Sequence, residues 1–342
     1  MSRLYLILLL TIQFAGCAAK HTEEPAAVER AENQDNYGSK PPNHKGSGLE
    51  PVTPAVSDPY PLTDTNRWES AGAEVYWVGK SVRGYNSWTA DRNQLTDAVP
   101  EFHLRNWKLG LIESLPIPKK PFRITFDGKA TDAILGDVSR LKPLEALSLS
   151  SCDRVTDAGL KSLGELTELK ELDLTLTKVT GAGLAELCAL KQLRSLTLLC
   201  DDIDDAGMRH LSKLKQLRYL DLSCTHVTDA GLKELSPLSD LQLLGLTRCE
   251  VTDAGLKDLR HFKNLQALFL HFTKVTDAGL KDLRALRNLH ELGLNGTQVT
   301  DEGLKELSAL RSLESLSLKH TKVTEAGVSG LQVSLPACEI VR

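Results

Sequence analysis

The chain has 342 residues, with 41 Lys and Arg against 45 Asp and Glu for a net charge of −4, aromatic residues at only 5%, and 7 cysteines. This balance argues against a basic nucleic-acid-binding protein, and the cysteines are too few for a disulfide scaffold of this length. Whatever the chain does must come from how its apolar residues are arranged.

The amino terminus reads as an export signal over residues 1–17. Arg3 is the positive region, Leu4 to Phe14 is an apolar run too short to span a bilayer, and Ala15-Gly16-Cys17 follows. Small residues directly before a cysteine resemble a bacterial lipobox, in which Cys17 is lipidated and becomes the first mature residue. Phe14 departs from the usual leucine of that motif; the alternative is secretory cleavage after Ala19 and release of a soluble protein. The resemblance implies a cell-envelope location, lipid-anchored at the outer membrane or periplasmic face, and Ala18 lacks the aspartate that would retain the protein at the inner membrane.

Residues 18–66 hold seven prolines, four basic and eight acidic residues, and almost no apolar clusters. Such a stretch cannot bury enough surface to fold alone, and it predicts a flexible tether with a mean span of about 40 Å. Residues 67–120 contain all four tryptophans, Trp68, Trp77, Trp88 and Trp107. They predict an N-terminal cap over the first open core layer, with a separate small recognition module as the alternative. Val75-Tyr76-Trp77-Val78 and Phe122-Arg123-Ile124-Thr125-Phe126 alternate as strands that can begin a sheet, and Thr131-Asp132-Ala133 is a degenerate first repeat.

Residues 121–336 are periodic. Thr156-Asp157-Ala158-Gly159-Leu160 returns every 24 residues, beginning at Thr180, Asp204, Thr228, Thr252, Thr276, Thr300 and Thr324, without insertion. A fixed period of this size marks a solenoid whose units bury their apolar faces only by stacking. In Leu169-Lys170-Glu171-Leu172-Asp173-Leu174-Thr175 the alternation around Leu172 and Leu174 is that of a strand with one buried face. After a turn Val179 points back inside, the Thr180 position caps a short helix, and Leu184, Leu187 and Leu190 line one side of it. Mid-helix glycine costs about 1 kcal/mol relative to alanine. The motif glycine therefore marks a place too close for a Cβ. Leu335-Pro336-Ala337-Cys338-Glu339-Ile340-Val341 ends the array in a last strand, with residues 337–342 as C-terminal cap.

The frame, an apolar Leu-x-x-Leu-x-Leu followed by Cys, Thr or Asp at Cys152, Thr177, Asp201, Thr225, Cys249, Thr273, Thr297 and Thr321, resembles the leucine-rich repeat family. The resemblance is to its ribonuclease-inhibitor-like, cysteine-containing class, found in F-box substrate receptors. It implies a right-handed α/β horseshoe with a parallel sheet on the concave face and short helices on the convex face. No F-box-like segment is visible, so ubiquitin-ligase function is not implied; the threonine-rich form looks most like bacterial members.

No metal-binding histidine spacing, nucleophile elbow or phosphate loop is present, and neither an enzyme nor a cofactor is indicated. Asp201, Asp202, Asp204 and Asp205 form an acidic knot. It reads as a solvated turn with one helix-capping aspartate; calcium coordination is the alternative. Cys200 and Cys224 share a column in adjacent repeats, within reach of a disulfide although their Cβ directions run parallel.

Partner docking is expected on outward strand positions. Tyr219, Phe269 and Phe272 gather on the fourth to sixth repeats with Leu243, Arg248 and His271 around them, the composition of an exposed interface hot spot. Phe262 replaces a core leucine and needs no function. The reading is an exported, membrane-tethered protein that binds another protein through its concave sheet, with a glycan as a possible ligand and nucleic acid disfavoured. Its rivals are an envelope-organising structural protein acting through the tryptophan-rich cap, and an adaptor or regulatory subunit for a separate catalytic partner.

Overall fold

A computed structural model describes residues 60, 62–81, 86–89, 92, 95–199 and 202–342. The signal, Cys17, most of the tether, Cys200 and Asp201 lie outside the described residues. Within them one sheet of 13 strands runs the length of the molecule. It begins with three antiparallel partners, β1 (Ala73–Ser81), β2 (Asn86–Thr89) and β3 (Leu95–Leu104), β1 lying between the other two. From β3 through β4 (Phe122–Phe126) and β5 (Leu144–Ser148) to β13 (Glu339–Val341) every neighbouring pair is parallel. Register is set by the central leucine of each short strand: Leu172, Leu196, Leu220, Leu244, Leu268, Leu292 and Leu316 stand side by side without slip. The uninterrupted 24-residue phase has this consequence, because one missing residue would turn a whole strand inside out.

Three devices close each unit. Directly after the strand the chain takes one left-handed residue, at Ser151, Leu176, Cys224, Arg248, Phe272 and His320, each near φ 60°. Non-glycine residues enter that region at a cost of roughly 1–2 kcal/mol. Ladder bonds to the next unit offset it, such as Arg248 N donating to His271 O at 2.8 Å and Phe272 N to Asn295 O at 2.7 Å. Next, the buried threonine after the turn donates its hydroxyl back three residues, as Thr225 to Leu222 O and Thr273 to Leu270 O. Cys249 fills the equivalent place in the next unit, but its thiol donates across units to Leu222 O at 3.0 Å, the carbonyl that Thr225 also uses, and burial pushes that thiol's pKa up to about 12. The Thr/Cys alternation therefore follows from one small buried donor per turn.

The third device joins units on the helix side. Thr252 caps the helix Asp253–Leu256 with its hydroxyl, and its own N–H and hydroxyl both donate to the Asp229 carboxylate that opens the preceding helix. The same rung links Asp132 with Thr156, Asp157 with Thr180, Asp205 with Thr228, Asp253 with Thr276, Asp277 with Thr300 and Asp301 with Thr324. A Cβ on Gly255 would overlap the Asp229 carboxylate, so the motif glycine exists to make room for the rung. Three units use 3-10 geometry in place of all or part of the helix, at Gly183–Ala189, Lys257–His261 and Lys281–Ala285.

The core is continuous from Trp68 to Cys338, with Phe262 fully buried in a leucine position. At the N-terminal end Trp68 stacks on Phe102 at 4.4 Å between centroids and donates its indole N–H to Pro116 O. The helix that carries it, Leu62–Ser70, starts inside the stretch read above as linker, and Tyr60 and Thr65 are buried. Alternation and proline content do not register that helix, because its anchoring partner Trp68 lies in the next segment.

Candidate functional site

The concave face changes character along the array. Toward the cap it is a paired polar network. Arg123 reaches both Glu101, at 3.1 Å, and, across the small Ala146, Glu171 at 2.8 Å. His103 and Thr125 also bond Glu101. Burial alone would raise the Glu101 pKa, but the His103 hydrogen bond, the Arg123 charge and the Thr125 hydroxyl bring it down to about 2. Farther on, Asp173 accepts from Ser148 and from Thr175 N, and buried Asp221 accepts from Ser223 N and its hydroxyl.

In the middle repeats the face turns apolar. Leu243, Ala267 and Phe269 form a cluster separate from the main core, with Tyr219 packed against it. The sequence expectation of exposed anchors is corrected here. Phe269 is 4% exposed, His271 3% and Leu243 7%, because strand neighbours stand only about 4.8 Å apart and cover one another's flanks. Phe269 stacks with His271 at 5.9 Å between centroids. The His271 ring occupies the space over Gly293, where a Cβ would overlap it, and its Nδ1 accepts from Asn295 N at 3.0 Å. Burial lowers the His271 pKa to about 4, so the ring is neutral at pH 7. Thr247, beside it, is buried with no hydrogen-bond partner for its hydroxyl.

The accessible parts lie around this cluster. Tyr219 is half-buried and its hydroxyl donates to Gln242 Oε1 at 2.8 Å. Phe272 is 37% exposed on the left-handed ridge, and the Arg248 guanidinium sits 5.2 Å from its ring centroid. Alternation alone could not find this ridge, since it lies outside the strand; the only signal was one position per unit after each Leu-x-Leu. The six expected residues thus form a buried platform (Leu243, Phe269, His271) beneath a rim of half-buried Tyr219 and exposed Arg248 and Phe272, and Ala267 joins the platform. A second small apolar cluster forms where Leu199 packs with Leu176 and Cys224.

Of the acidic knot, Asp204 caps its helix at Gly207 N and Asp205 forms the rung to Thr228. Among the described residues no group of three or more His, Cys, Asp or Glu could hold a metal ion. Cys152, Cys188, Cys249 and Cys338 are free, whereas Cys224 is disulfide-bonded.

The leucine-rich-repeat family profile matches four units, at residues 141–164, 166–188, 213–236 and 285–308. Those four units carry the leucine-rich-repeat pattern, and the solenoid repeats their geometry. Among solved structures this solenoid is similar to an internalin from Listeria monocytogenes, at 22% identity over 64% of this chain and 73% of that one, with a TM-score of 0.48. It is similar also to a leucine-rich-repeat protein of Leptospira interrogans, at 20% identity over 66% and 73% with a TM-score of 0.47. A second internalin, internalin C2 of Listeria monocytogenes, aligns at 24% identity over 62% and 84% with a TM-score of 0.48. No curated protein sequence matches the solenoid.

Proposed function

We propose that this is an exported lipoprotein, anchored through Cys17, whose leucine-rich-repeat array holds a protein partner on the concave sheet. The observation that carries the reading is the apolar platform of Leu243, Ala267 and Phe269 under the rim of Tyr219, Arg248 and Phe272, on a face whose other described carboxylates are largely satisfied within the protein. A half-buried tyrosine and an arginine laid on an aromatic ring combine large contact area with few rotamers to freeze, as interface anchors do. The array acts by binding and not by catalysis, and the ribonuclease-inhibitor-like class remains the subfamily the repeat pattern resembles best.

The test is affinity capture from native envelopes with mass spectrometry, comparing the parent with Tyr219→Ala, Arg248→Ala and Phe272→Ala combined. These rim positions can be truncated without emptying the platform, whereas Phe269→Ala would open a cavity. Capture of the same protein by parent and triple variant alike would refute the concave-face reading and move attention to the tryptophan-bearing cap.

A further inference from the structure

The array is near neutral in sum but not in space. The residue following the last helix-side apolar position is cationic at Lys142, Lys191, Lys215, Lys263, Arg287 and Arg311, interrupted by Thr167 and Ser239, and all six cations are exposed. They stand in one register along the helix-to-strand edge. Counting every connection from helix to strand, from residues 115–121 to 335–338, this edge carries thirteen Lys or Arg and four Asp or Glu. The opposite edge, from residues 127–132 to 318–325 and including the residue that opens each helix, carries seven against fourteen. Three of the edge cations form ion pairs, Arg140, Lys142 and Lys170. Lys191, Arg194, Lys213, Lys215 and Arg218, in two adjacent helix-to-strand connections that contain no Asp or Glu, form none among the described residues.

Helix C-termini favour cations, which accounts for one charge per unit. It does not account for the cap end of the same edge, where Ile117 and Leu109 are 43% and 65% exposed. Ile117 lies in the connection leading into β4, beside Lys119 and Lys120; Leu109 follows Lys108 and precedes Gly110, whose N–H bonds Asp137 at the end of a helix on this edge. The loop is held in place by the Trp68 indole on Pro116 O and by Arg67 on Ser114 O. Fixed apolar tips beside lysines, continued by a row of cations and with no exposed aromatic on this edge among the described residues, fit an anionic lipid surface better than a nucleic acid.

We infer that the helix-to-strand edge, with Leu109 and Ile117 at its cap end, is a docking surface for an anionic membrane. The inference uses only residues of the folded array and stands whether or not Cys17 is acylated. If Cys17 is acylated, the edge is the second attachment that a single anchor needs for stable binding.

Co-sedimentation with phosphatidylcholine vesicles containing 30% phosphatidylglycerol tests it, using the chain from Ala18 to Arg342, which keeps every described residue. Binding is expected to these vesicles and not to pure phosphatidylcholine, falling at least tenfold between about 0.1 and 0.5 M salt as surface charges are screened. Lys191→Glu with Lys215→Glu and Arg218→Glu should cut binding at least tenfold, and Ile117→Asp severalfold. Lys178→Glu with Lys274→Glu and Lys322→Glu, the same charge change on the opposite edge, should do little. Equal loss in both triple variants would show unspecific electrostatics and overturn the inference. So would binding to a single-stranded oligonucleotide that matches the vesicles in strength and ignores Ile117→Asp. Failure of the lipid assay with partner capture intact would leave the concave-face proposal standing.

Discussion

Asp229 accepts two hydrogen bonds from Thr252 of the next unit, from its N–H at 2.8 Å and from its hydroxyl at 2.6 Å, while that same hydroxyl caps the following helix at Ala254 N. One threonine therefore ends a turn, starts a helix and ties two repeats together. Removing the carboxylate leaves a half-buried N–H without its partner. Asp229→Ala is expected to lower unfolding free energy by about 2 kcal/mol, the scale of a charge-assisted bond lost with its donor stranded. Thr252→Val should cost roughly 1 kcal/mol or more through loss of the cap. Urea unfolding of both and of the double variant should be non-additive, the double costing less than the sum; additive effects would mean the rung carries no coupling.

The rung is missing once, and the exception explains two odd residues. Gly181 stands where other units have aspartate, and Asp204 where they have threonine. A Cβ on Gly181 would run into the Asp204 carboxylate. Gly181→Asp alone should destabilise strongly by setting two carboxylates against each other, and Gly181→Asp combined with Asp204→Thr should recover most of the loss by rebuilding the standard pair. Thermal melts of the single and double variants decide it; no rescue would mean the pairing is accidental.

His271 gives the array an acid sensitivity. Its folded pKa of about 4 lies below the ordinary value of 6.5, so between those values the unfolded chain binds the extra proton and stability rises with pH. Acidifying from pH 7 to pH 5 should cost about 2 kcal/mol at this site. Below about pH 4 both states are protonated and the slope from His271 ends. Glu101 acts in a lower window: its stabilisation is complete above about pH 4.5 and disappears as pH falls through about 2. His271→Gln should flatten the dependence between pH 4 and 6.5 in urea titrations while leaving the lower window in place; an unchanged slope would contradict the assignment.

Much of this molecule is legible in its sequence because the repeats repeat their reasons. Leu172 through Leu316 keep one column, Phe262 fills a leucine's place, and each motif glycine sits where adjacent units approach too closely for a Cβ. The misreadings have a common cause. Alternation states which way Phe269 and His271 point, but not that neighbours in a parallel sheet cover them, so an outward position need not be an exposed one. The ridge of Arg248 and Phe272 depends on a left-handed residue that no apolar pattern marks. The basic edge was invisible to net charge, since the acids of the opposite edge cancel it.

Lipid attachment is separately testable. Cys17→Ser should abolish incorporation of labelled fatty acid in a bacterial host and shift the protein from the membrane fraction to a soluble or unprocessed one. Unchanged labelling would remove the lipoprotein reading and leave the solenoid as it stands.

The rim over the Leu243, Ala267 and Phe269 platform is the surface expected to touch the partner. Site-specific photo-crosslinking in native envelopes measures this directly, with the crosslinker placed at Phe272 on the ridge or at Glu302 on the convex helix side. A single cross-linked protein from position 272, absent at position 302 and lost when Tyr219→Ala and Arg248→Ala are added, is the expected result. The same adduct from both positions, or from position 302 alone, would contradict it.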